Sequence, residues 1–261
     1  MPVYLCIDIG NTHIVCAVIE GEAILKEERA PSSPLLPVAE YTALIRDVLK
    51  NTSLQAGDIR GSVISSVVPR LTPSLQHASA EVLHTDALIV DHRLPLDLKI
   101  LYDDPAEVGA DRICNAVAAL ERYPAPLIIV DMGTATTFDI INEKREYCGG
   151  VIMPGLETAG RDLFERAARL PKVEFDFPEK VIGTRTRESL QSGLMWGTID
   201  QIDGLIKRIC DEWKKENVNV IATGGLSGII APHSRYIKHV DKALTLLGMK
   251  YIFEQLSGAK K

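Results

Sequence analysis

The amino-acid sequence predicts an α/β protein composed of two similar domains. Short apolar runs rich in β-branched residues, which are typical of buried strands, alternate with longer segments of helical periodicity. A meander of three strands followed by alternating helices and strands occurs twice along the chain. In each half an acid-glycine-threonine turn follows the first strand, at Asp8-Ile9-Gly10-Asn11-Thr12 and at Asp131-Met132-Gly133-Thr134-Ala135. We expect a ligand to bind in a cleft between the two domains.

The first half begins with three predicted strands and continues with alternating helices and strands. The expected strands are 3–7, 13–19, 22–29, 61–68 and 87–90, and the expected helices are 38–50, 72–83 and 106–122. A proline- and serine-rich loop is expected at 31–37, and an irregular segment with two prolines at 94–105.

The second half repeats this plan while sharing little sequence with the first. The expected strands are 127–131, 136–142, 146–152 and 218–222, and the expected helices are 156–170 and 243–256, with one helix or two in succession over 187–217. A loop with two phenylalanines and two prolines is expected at 171–183. We therefore predict an N-terminal domain at 1–115 and a C-terminal domain at 116–261.

Composition excludes several classes of protein. The chain has 261 residues, of which 46% are hydrophobic and 25% charged, as is usual for globular proteins. The net charge is −6, and no Lys/Arg run exceeds the terminal Lys260-Lys261, which argues against a nucleic-acid partner. We see no signal peptide and no apolar stretch long enough to span a bilayer, so we expect a cytoplasmic protein without a membrane partner.

The five cysteines indicate neither a zinc site nor a disulfide framework, because they are widely spaced and include no C-x-x-C pair. Cys6 and Cys16 lie within predicted apolar strands. We therefore interpret them as buried, unreactive thiols.

The two acid-glycine-threonine turns could each hold phosphates or a metal ion. Glycine has no Cβ, so the backbone can turn tightly and approach a bulky anion, and the threonine offers a hydroxyl and an N–H group. The alternative for a single turn of this kind is a hairpin in which glycine and asparagine only satisfy the backbone geometry. The presence of two such turns favours a shared ligand.

Three further glycine clusters follow these turns in a characteristic order. They are Gly109-Ala110-Asp111-Arg112, Gly149-Gly150-Val151-Ile152-Met153-Pro154-Gly155 and Thr223-Gly224-Gly225. Over nearly its whole length the chain resembles the type III pantothenate kinases. This resemblance implies two ribonuclease H-like domains, as in the actin-like ATPases and the acetate and sugar kinases. It also implies ATP-dependent phosphorylation of pantothenate to 4'-phosphopantothenate, the first step of coenzyme A biosynthesis.

The resemblance implies that the two turns bind ATP and its cations. The matching ATP-binding residues are Asp8, Ile9, Gly10, Asn11, Thr12, His13, Ile14, Val15 and Thr134, although the His13 side chain is interpreted as a bystander. Asp8 suits the water shell of Mg²⁺, which accepts one or two carboxylates. Asp131 matches the ligand of a monovalent cation, K⁺ or NH₄⁺. Asp139, near the second turn, is interpreted as a strand-end or loop carboxylate.

The resemblance also supplies the catalytic base and the pantothenate contacts. Asp111 is the predicted base, which would accept the proton of the substrate hydroxyl. An alternative is that Asp111 caps a helix and pairs with Arg112 at the surface. The matching pantothenate-binding residues are Tyr102, Gly109, Ala110, Asp111, Arg112 and Thr186. Arg112 could hold either the substrate or phosphoryl oxygens.

Other positions carry more general expectations. Gly149-Gly150 and Pro154-Gly155 are expected to let backbone approach the nucleotide, and Gly224-Gly225 to make room for adenine and ribose. Each of these glycine-containing segments could instead form a tight turn between strand and helix. The family usually has asparagine or aspartate before the threonine that Thr186 matches, whereas this chain has Arg185.

The family resemblance further implies a homodimer in which Thr186 reaches the neighbouring subunit's site. Two other functions compete with the kinase. One is a regulatory relative without catalysis, similar to a Bordetella accessory factor associated with virulence-gene activation. The other is a phosphotransferase or ATPase of the same superfamily that acts on a sugar or an acyl acid.

Overall fold

A computed structural model describes residues 1–167 and 169–258 of the protein. They form two compact units. Unit 1 contains Met1–Arg122, Arg145–Cys148 and the described part of Ala243–Lys261, and unit 2 contains Tyr123–Lys144 and Gly149–Lys242. The units are groups of residues that contact one another, so the division into domains at 1–115 and 116–261 stays a prediction. Lys260-Lys261 lies outside the described residues.

The secondary structure follows the predicted order. The strands are β1 Val3–Ile9, β2 His13–Glu20, β3 Ala23–Pro31, β4 Ile59–Ser66, β5 Leu88–Ile89, β6 Lys99–Ile100, β7 Leu127–Met132, β8 Ala135–Ile141, β9 Glu146–Pro154, β10 Asn219–Thr223 and β11 His239–Val240. The helices are α1 Val38–Lys50, α2 Thr72–Leu83, α3 Ala110–Arg122, α4 Leu156–Arg166, α5 Thr186–Trp213, α6 Ser227–Ile230 and α7 Leu244–Leu256. Short 3₁₀ turns occur at Ala56–Asp58, Pro105–Glu107 and Ala231–His233.

Unit 1 is built on a five-stranded sheet in the order β3-β2-β1-β4-β5. The central strand β1 pairs antiparallel with β2 and parallel with β4, and its apolar side chains are buried on both faces, as expected for a central strand covered by helices. The closing helix α7 packs against α3. Gly248 makes this close crossing possible, because a Cβ there would collide with the Cys114 carbonyl oxygen.

Unit 2 repeats this topology. Its strands follow the order β9-β8-β7-β10-β11, in which β7 pairs antiparallel with β8 and parallel with β10, as β1 does with β2 and β4. The short strand β6 pairs parallel with Glu146 and Tyr147, the first residues of β9, which like β6 are grouped with unit 1. The recurrence of one strand order in two sheets confirms the predicted α/β fold with internal duplication.

The structure corrects several predicted boundaries. The helix expected at 106–122 begins at Ala110, because Pro105–Glu107 forms a separate 3₁₀ turn capped by the Asp104 carboxylate. The segment 94–105, predicted to be irregular, contains β6. The helix expected at 156–170 ends at Arg166, where Ala167 becomes extended. Most of the region 187–217 belongs to one helix, α5 at Thr186–Trp213, and not to two in succession, and residues 214–217 lie beyond its end.

Two further findings concern features named from the sequence. Cys6 and Cys16 are completely buried, and burial raises the pKa of the Cys16 thiol to about 12, which confirms the interpretation as buried thiols. Among the residues that the structure describes, no helix has both the length and the apolar character needed to cross a bilayer.

Candidate active site

The first acid-glycine-threonine turn closes the β1–β2 hairpin. Ile9 lies opposite Ile14, so residues 10–13 form the turn, and the Gly10 N–H donates to the His13 carbonyl oxygen at 3.0 Å. Asn11, Thr12 and His13 are exposed. The two side chains predicted to donate to phosphate oxygens therefore face solvent at the tip.

Ser32 supports this turn from within the protein, although the sequence analysis did not single it out. Its hydroxyl donates to the Gly10 carbonyl oxygen at 2.6 Å, and its N–H donates to the Thr12 carbonyl oxygen at 3.0 Å. Only 1% of Ser32 is exposed. Its partners are backbone atoms 20 or more positions away in sequence, so no local pattern indicates this role. The contacts fix the direction of two carbonyl groups of this turn.

The second turn closes the β7–β8 hairpin and is one residue shorter. Met132 lies opposite Thr136, which leaves residues 133–135 in the turn. The Thr134 carbonyl oxygen accepts hydrogen bonds from the Gly155 N–H at 3.1 Å and the Thr158 hydroxyl at 2.7 Å. A Cβ on Gly155 would collide with the carbonyl oxygens of this turn. Gly155 is therefore required by contact with protein backbone, and its approach to nucleotide stays a prediction.

The two acidic residues occupy equivalent places in the duplicated sheets. Asp8 and Asp131 are each the penultimate residue of their strand, so the strands extend past the carboxylates and do not end on them. In the adjacent parallel strand Asp8 is aligned with Ser65 and Asp131 with Thr223, and both hydroxyl residues are buried. The internal repeat thus includes the predicted cation-binding carboxylates.

Asp139 is not the strand-end or loop carboxylate that the sequence suggested. It lies within β8, opposite Ile129 of β7, and is completely buried. Along β8, Asp139 shares its face of the sheet with Thr137 and Ile141, whereas the adjacent Phe138 and Ile140 point to the opposite face.

The predicted base, Asp111, lies in the first turn of α3 and is partly buried. Its Oδ1 accepts a hydrogen bond from the Arg112 N–H at 2.8 Å. Gly109 makes room for this carboxylate, since a Cβ on Gly109 would lie 2.5 Å from Asp111 Oδ1. Burial raises the pKa of Asp111 above its ordinary value of 3.8, and the N–H and charge of Arg112 partly oppose the rise. A carboxylate in this environment is a stronger base than an exposed one.

The carboxylates of Asp8 and Asp111 both affect the pKa of one buried thiol, that of Cys114. Burial raises the pKa of Cys114 well above its usual range, and the charges of Asp8 and then Asp111 raise it further. Cys114 follows Asp111 by almost one turn of α3. The Val67 N–H donates to the Ile9 carbonyl oxygen at 3.1 Å, and a Cβ on Gly109 would lie 3.3 Å from Val67 Cγ1, so unit 1 brings the first turn and the motif of the predicted base to one region of the protein.

Arg112 and Tyr102 meet at a tyrosine that the sequence analysis did not identify. The Arg112 guanidinium lies 5.8 Å from the ring centroid of Tyr147, and the rings of Tyr102 and Tyr147 are 5.9 Å apart. Arg112 is only 6% exposed, so the alternative of a surface pair between Asp111 and Arg112 is wrong. Two predicted pantothenate contacts thus share one neighbour.

Thr186 begins α5 in unit 2 and is exposed. No side chain within the described residues caps this helix at Arg185. Instead, Glu188 accepts hydrogen bonds from the Thr184 N–H at 3.0 Å and the Thr184 hydroxyl at 3.3 Å, and its carboxylate lies 4.0 Å from the Arg185 guanidinium. Glu188 thereby orders the segment that carries Thr186.

The carboxylates beside the two turns, Asp8 and Asp131, offer oxygen donors for cations. In residues 1–167 and 169–258, no group of three or more His, Cys, Asp or Glu side chains could hold a metal ion. Magnesium needs only one or two protein carboxylates because it keeps several waters, and Asp8 is partly exposed. Asp131 offers the oxygen donors that a monovalent cation prefers. The chemistry of both turns is therefore compatible with the predicted ions.

Comparison with known families gives a match to type III pantothenate kinase over residues 4–208. The chain belongs to the type III pantothenate kinase family. A type III pantothenate kinase from Halalkalibacterium halodurans is 43% identical over 251 residues, which cover 96% of this chain and 98% of the relative. Another from Finegoldia magna is 42% identical over 252 residues, covering 96% of each. The resemblance inferred from the ordered motifs is confirmed.

Solved structures with lower identity show the same fold. A Campylobacter jejuni protein assigned to the Baf family of transcriptional activators matches with a TM-score of 0.63 at 19% identity, covering 97% of this chain and 99% of that one. The Clostridium difficile activator of 2-hydroxyisocaproyl-CoA dehydratase, with bound ADPNP, matches with a TM-score of 0.59 at 14% identity, covering 99% and 98%. These similarities support the actin-like fold of this pantothenate kinase family member.

Arg185, at the N-cap of α5, gives a stability prediction for this type III pantothenate kinase family member. We expect Arg185→Asn to raise the free energy of unfolding by about 1 kcal/mol, because Arg185 has the extended conformation of an N-cap and asparagine can accept from the exposed N–H groups of the first turn. Urea unfolding measures the change. Arg187→Asn, two residues into the same helix, is the control and should give no gain. Equal stability of the wild type and Arg185→Asn would contradict the prediction.

Proposed function

We propose that this protein transfers the γ-phosphoryl group of ATP to pantothenate and forms 4'-phosphopantothenate, the first step of coenzyme A biosynthesis. The observation that carries this proposal is the family match over residues 4–208, joined by relatives above 40% identity along almost the whole chain. The environment of Asp111 supports it, because a partly buried carboxylate with a raised pKa suits a general base.

In the proposed reaction Asp111 accepts the proton of the pantothenate hydroxyl as the new O–P bond forms, while the bond between the γ-phosphorus and the β–γ bridging oxygen of ATP breaks and ADP leaves. The phosphoryl group carries negative charge in a loose transition state, so catalysis depends on positioning and on charge neutralisation. Asn11 and Thr12 donate to phosphate oxygens from the first turn. Both belong to the proposed ATP-binding residues 8–15. Thr134 makes the corresponding ATP contact from the second turn.

Two cations complete the proposed site. Asp8 would hold Mg²⁺ through its water shell, and Asp131 would bind K⁺ or NH₄⁺. When bound, these ions supply positive charge beside the phosphates, which a protein of net charge −6 needs. The fixed positions of both aspartates, each beside a buried hydroxyl residue in the parallel strand, support this assignment.

The pantothenate site would consist of Tyr102, Gly109, Ala110, Asp111 and Arg112, with Thr186 from a second subunit. Thr186 is exposed near the start of α5, and the nearby Ile182 is 84% exposed. Ile182 adjoins Val181, which is 65% exposed, and this pair of exposed apolar side chains close in sequence to a predicted substrate contact supports the proposed homodimer interface. We further propose a cytoplasmic location, with neither nucleic acid nor membrane as a partner.

The two competing functions have weaker support. The full-length relatives are named as pantothenate kinases, and Asp8, Asp111 and Asp131 are all present, so a non-catalytic transcriptional accessory factor is not favoured. The similarity to a Baf family protein at 19% identity concerns the fold alone. The Gly-Ala-Asp-Arg motif and Thr186 likewise disfavour a sugar or acyl-acid kinase.

A direct assay tests the proposed function. Purified protein with ATP, Mg²⁺, K⁺ and pantothenate should produce 4'-phosphopantothenate, detected by mass spectrometry, whereas a sugar or acetate in place of pantothenate should give no phosphorylated product. Omission of K⁺ and NH₄⁺ should lower the rate. Pantothenate binding without turnover would refute the kinase assignment, and light scattering that shows an active monomer would refute the dimer.

A further inference from the structure

We propose that Tyr147 is a positioning residue for pantothenate binding, acting through Arg112 and Tyr102. The inference rests on the proposed function and assigns a role to a residue outside every motif recognised in the sequence. Its support comes from ring contacts, from backbone pairing and from burial. All three residues belong to unit 1.

The Tyr147 ring contacts two of the side chains predicted to bind pantothenate, those of Arg112 and Tyr102. The Arg112 guanidinium, 5.8 Å from the ring centroid, is within the range of a cation–π interaction. The Tyr102 ring, 5.9 Å away and tilted by 55°, has the geometry of a favourable aromatic pair. One ring therefore restricts the rotamers of two residues that come from different segments, a loop and the helix α3.

The backbone of Tyr147 also positions the segment that leads to Tyr102. Tyr147 is aligned with Ile100 in the parallel pairing of β6 and β9, and its carbonyl oxygen accepts from the Leu101 N–H at 2.8 Å. Strand β6 has only two residues and therefore makes few backbone hydrogen bonds. The conformation of the loop after it must then depend on side-chain contacts. The Tyr147 ring supplies such a contact at the next residue, Tyr102.

Burial explains why Tyr147 can act as a fixed support. Its side chain is completely buried, whereas Tyr102 is partly exposed and able to meet a ligand. A residue held by its surroundings positions others more accurately than an exposed one, and small displacements of substrate-binding groups reduce affinity strongly. Tyr147 contacts the side chains of Arg112 and Tyr102 and is itself buried, so its effect should appear in substrate affinity.

Kinetics of the full-length protein test this role. We expect Tyr147→Leu to raise the KM for pantothenate about tenfold, with the KM for ATP unchanged within twofold. Tyr147→Phe keeps the ring and should restore a KM for pantothenate within twofold of the wild type. The matched control is Tyr41→Leu, which removes another buried tyrosine of unit 1, whose hydroxyl is bonded to the Leu36 N–H. It should lower the melting temperature without changing either KM.

Several outcomes would overturn the proposal. They are an unchanged KM for pantothenate in folded Tyr147→Leu, equal increases of both KM values, or the same selective increase in Tyr41→Leu. If Tyr147→Leu does not fold, Tyr147→Met replaces it under the same criteria. Failure of both to fold while Tyr41→Leu folds would assign Tyr147 to the core alone. A wild type without pantothenate phosphorylation would instead refute the proposed function, so the two failures are distinguishable.

Discussion

Asp111→Asn should lower kcat for pantothenate phosphorylation by about 10²- to 10⁴-fold, the usual contribution of a general base. Asparagine keeps the size of the side chain and can still accept the Arg112 N–H, but it cannot take a proton. Steady-state kinetics at saturating ATP measure the loss. Asp86→Asn, which neutralises an exposed aspartate of the same unit, is the control and should keep wild-type kcat.

The same substitution should not destabilise the protein. Because burial raises the pKa of Asp111 in the folded state, its charged form costs folding free energy above the unfolded-state pKa. Asp111→Asn removes this cost, so its melting temperature at neutral pH should equal or exceed that of the wild type. A large loss of activity without a loss of stability indicates a residue that serves function and lowers the stability of the fold.

The pH dependence gives a second measurement on the same residue. The base must be deprotonated, so activity should fall as pH decreases through the raised pKa of Asp111, at a pH above 3.8. Asp111→Asn should lose this acidic limb. If the variant keeps turnover within tenfold of the wild type, or keeps the acidic limb, Asp111 is not the base.

Most of the secondary structure could be predicted because its signals are local. Short apolar runs, helical spacing and turn residues place β1, β2, α1 and α2 within two residues of their observed bounds. The missed elements β6, β11 and α6 have two to four residues and are too short to show a period. Their positions depend on pairing with distant strands or on capping contacts.

The candidate site divides in the same way. Asp8, Asp111 and Asp131 belong to recognisable glycine-containing motifs, so the sequence alone indicates them. Ser32 and Tyr147 lie outside such patterns, and their contacts reach residues 20 to 45 positions away. Asp139 was misplaced because a completely buried carboxylate contradicts the ordinary preference of charged side chains for the surface.

Gly224→Ala should reduce kcat by about 100-fold and lower the melting temperature. Gly224 has φ +87°, which an alanine adopts only at a cost of about 1–3 kcal/mol. A Cβ there would also lie 2.6 Å from Asp131 Oδ1 and 2.6 Å from the Met132 carbonyl oxygen. The carboxylate proposed to bind the monovalent cation must therefore move, and misplacement by about 1 Å can cost about 10²-fold in rate. Kinetics over a K⁺ titration should show weaker activation by the cation.

A substitution at the adjacent Gly225 tests whether the effect at Gly224 comes from displacement of Asp131 or from a general need for backbone flexibility in this turn. Gly225 follows Gly224 in the same turn, yet a Cβ on Gly225 would have no atom of the described residues within 4 Å beyond its chain neighbours, and Gly225 has no positive φ. Gly225→Ala should therefore keep the melting temperature of the wild type, and a rise confined to the KM for ATP would match the predicted space for adenine and ribose. If both variants lose the same stability and the same response to K⁺, the requirement lies in the flexibility of the turn and not in the position of Asp131.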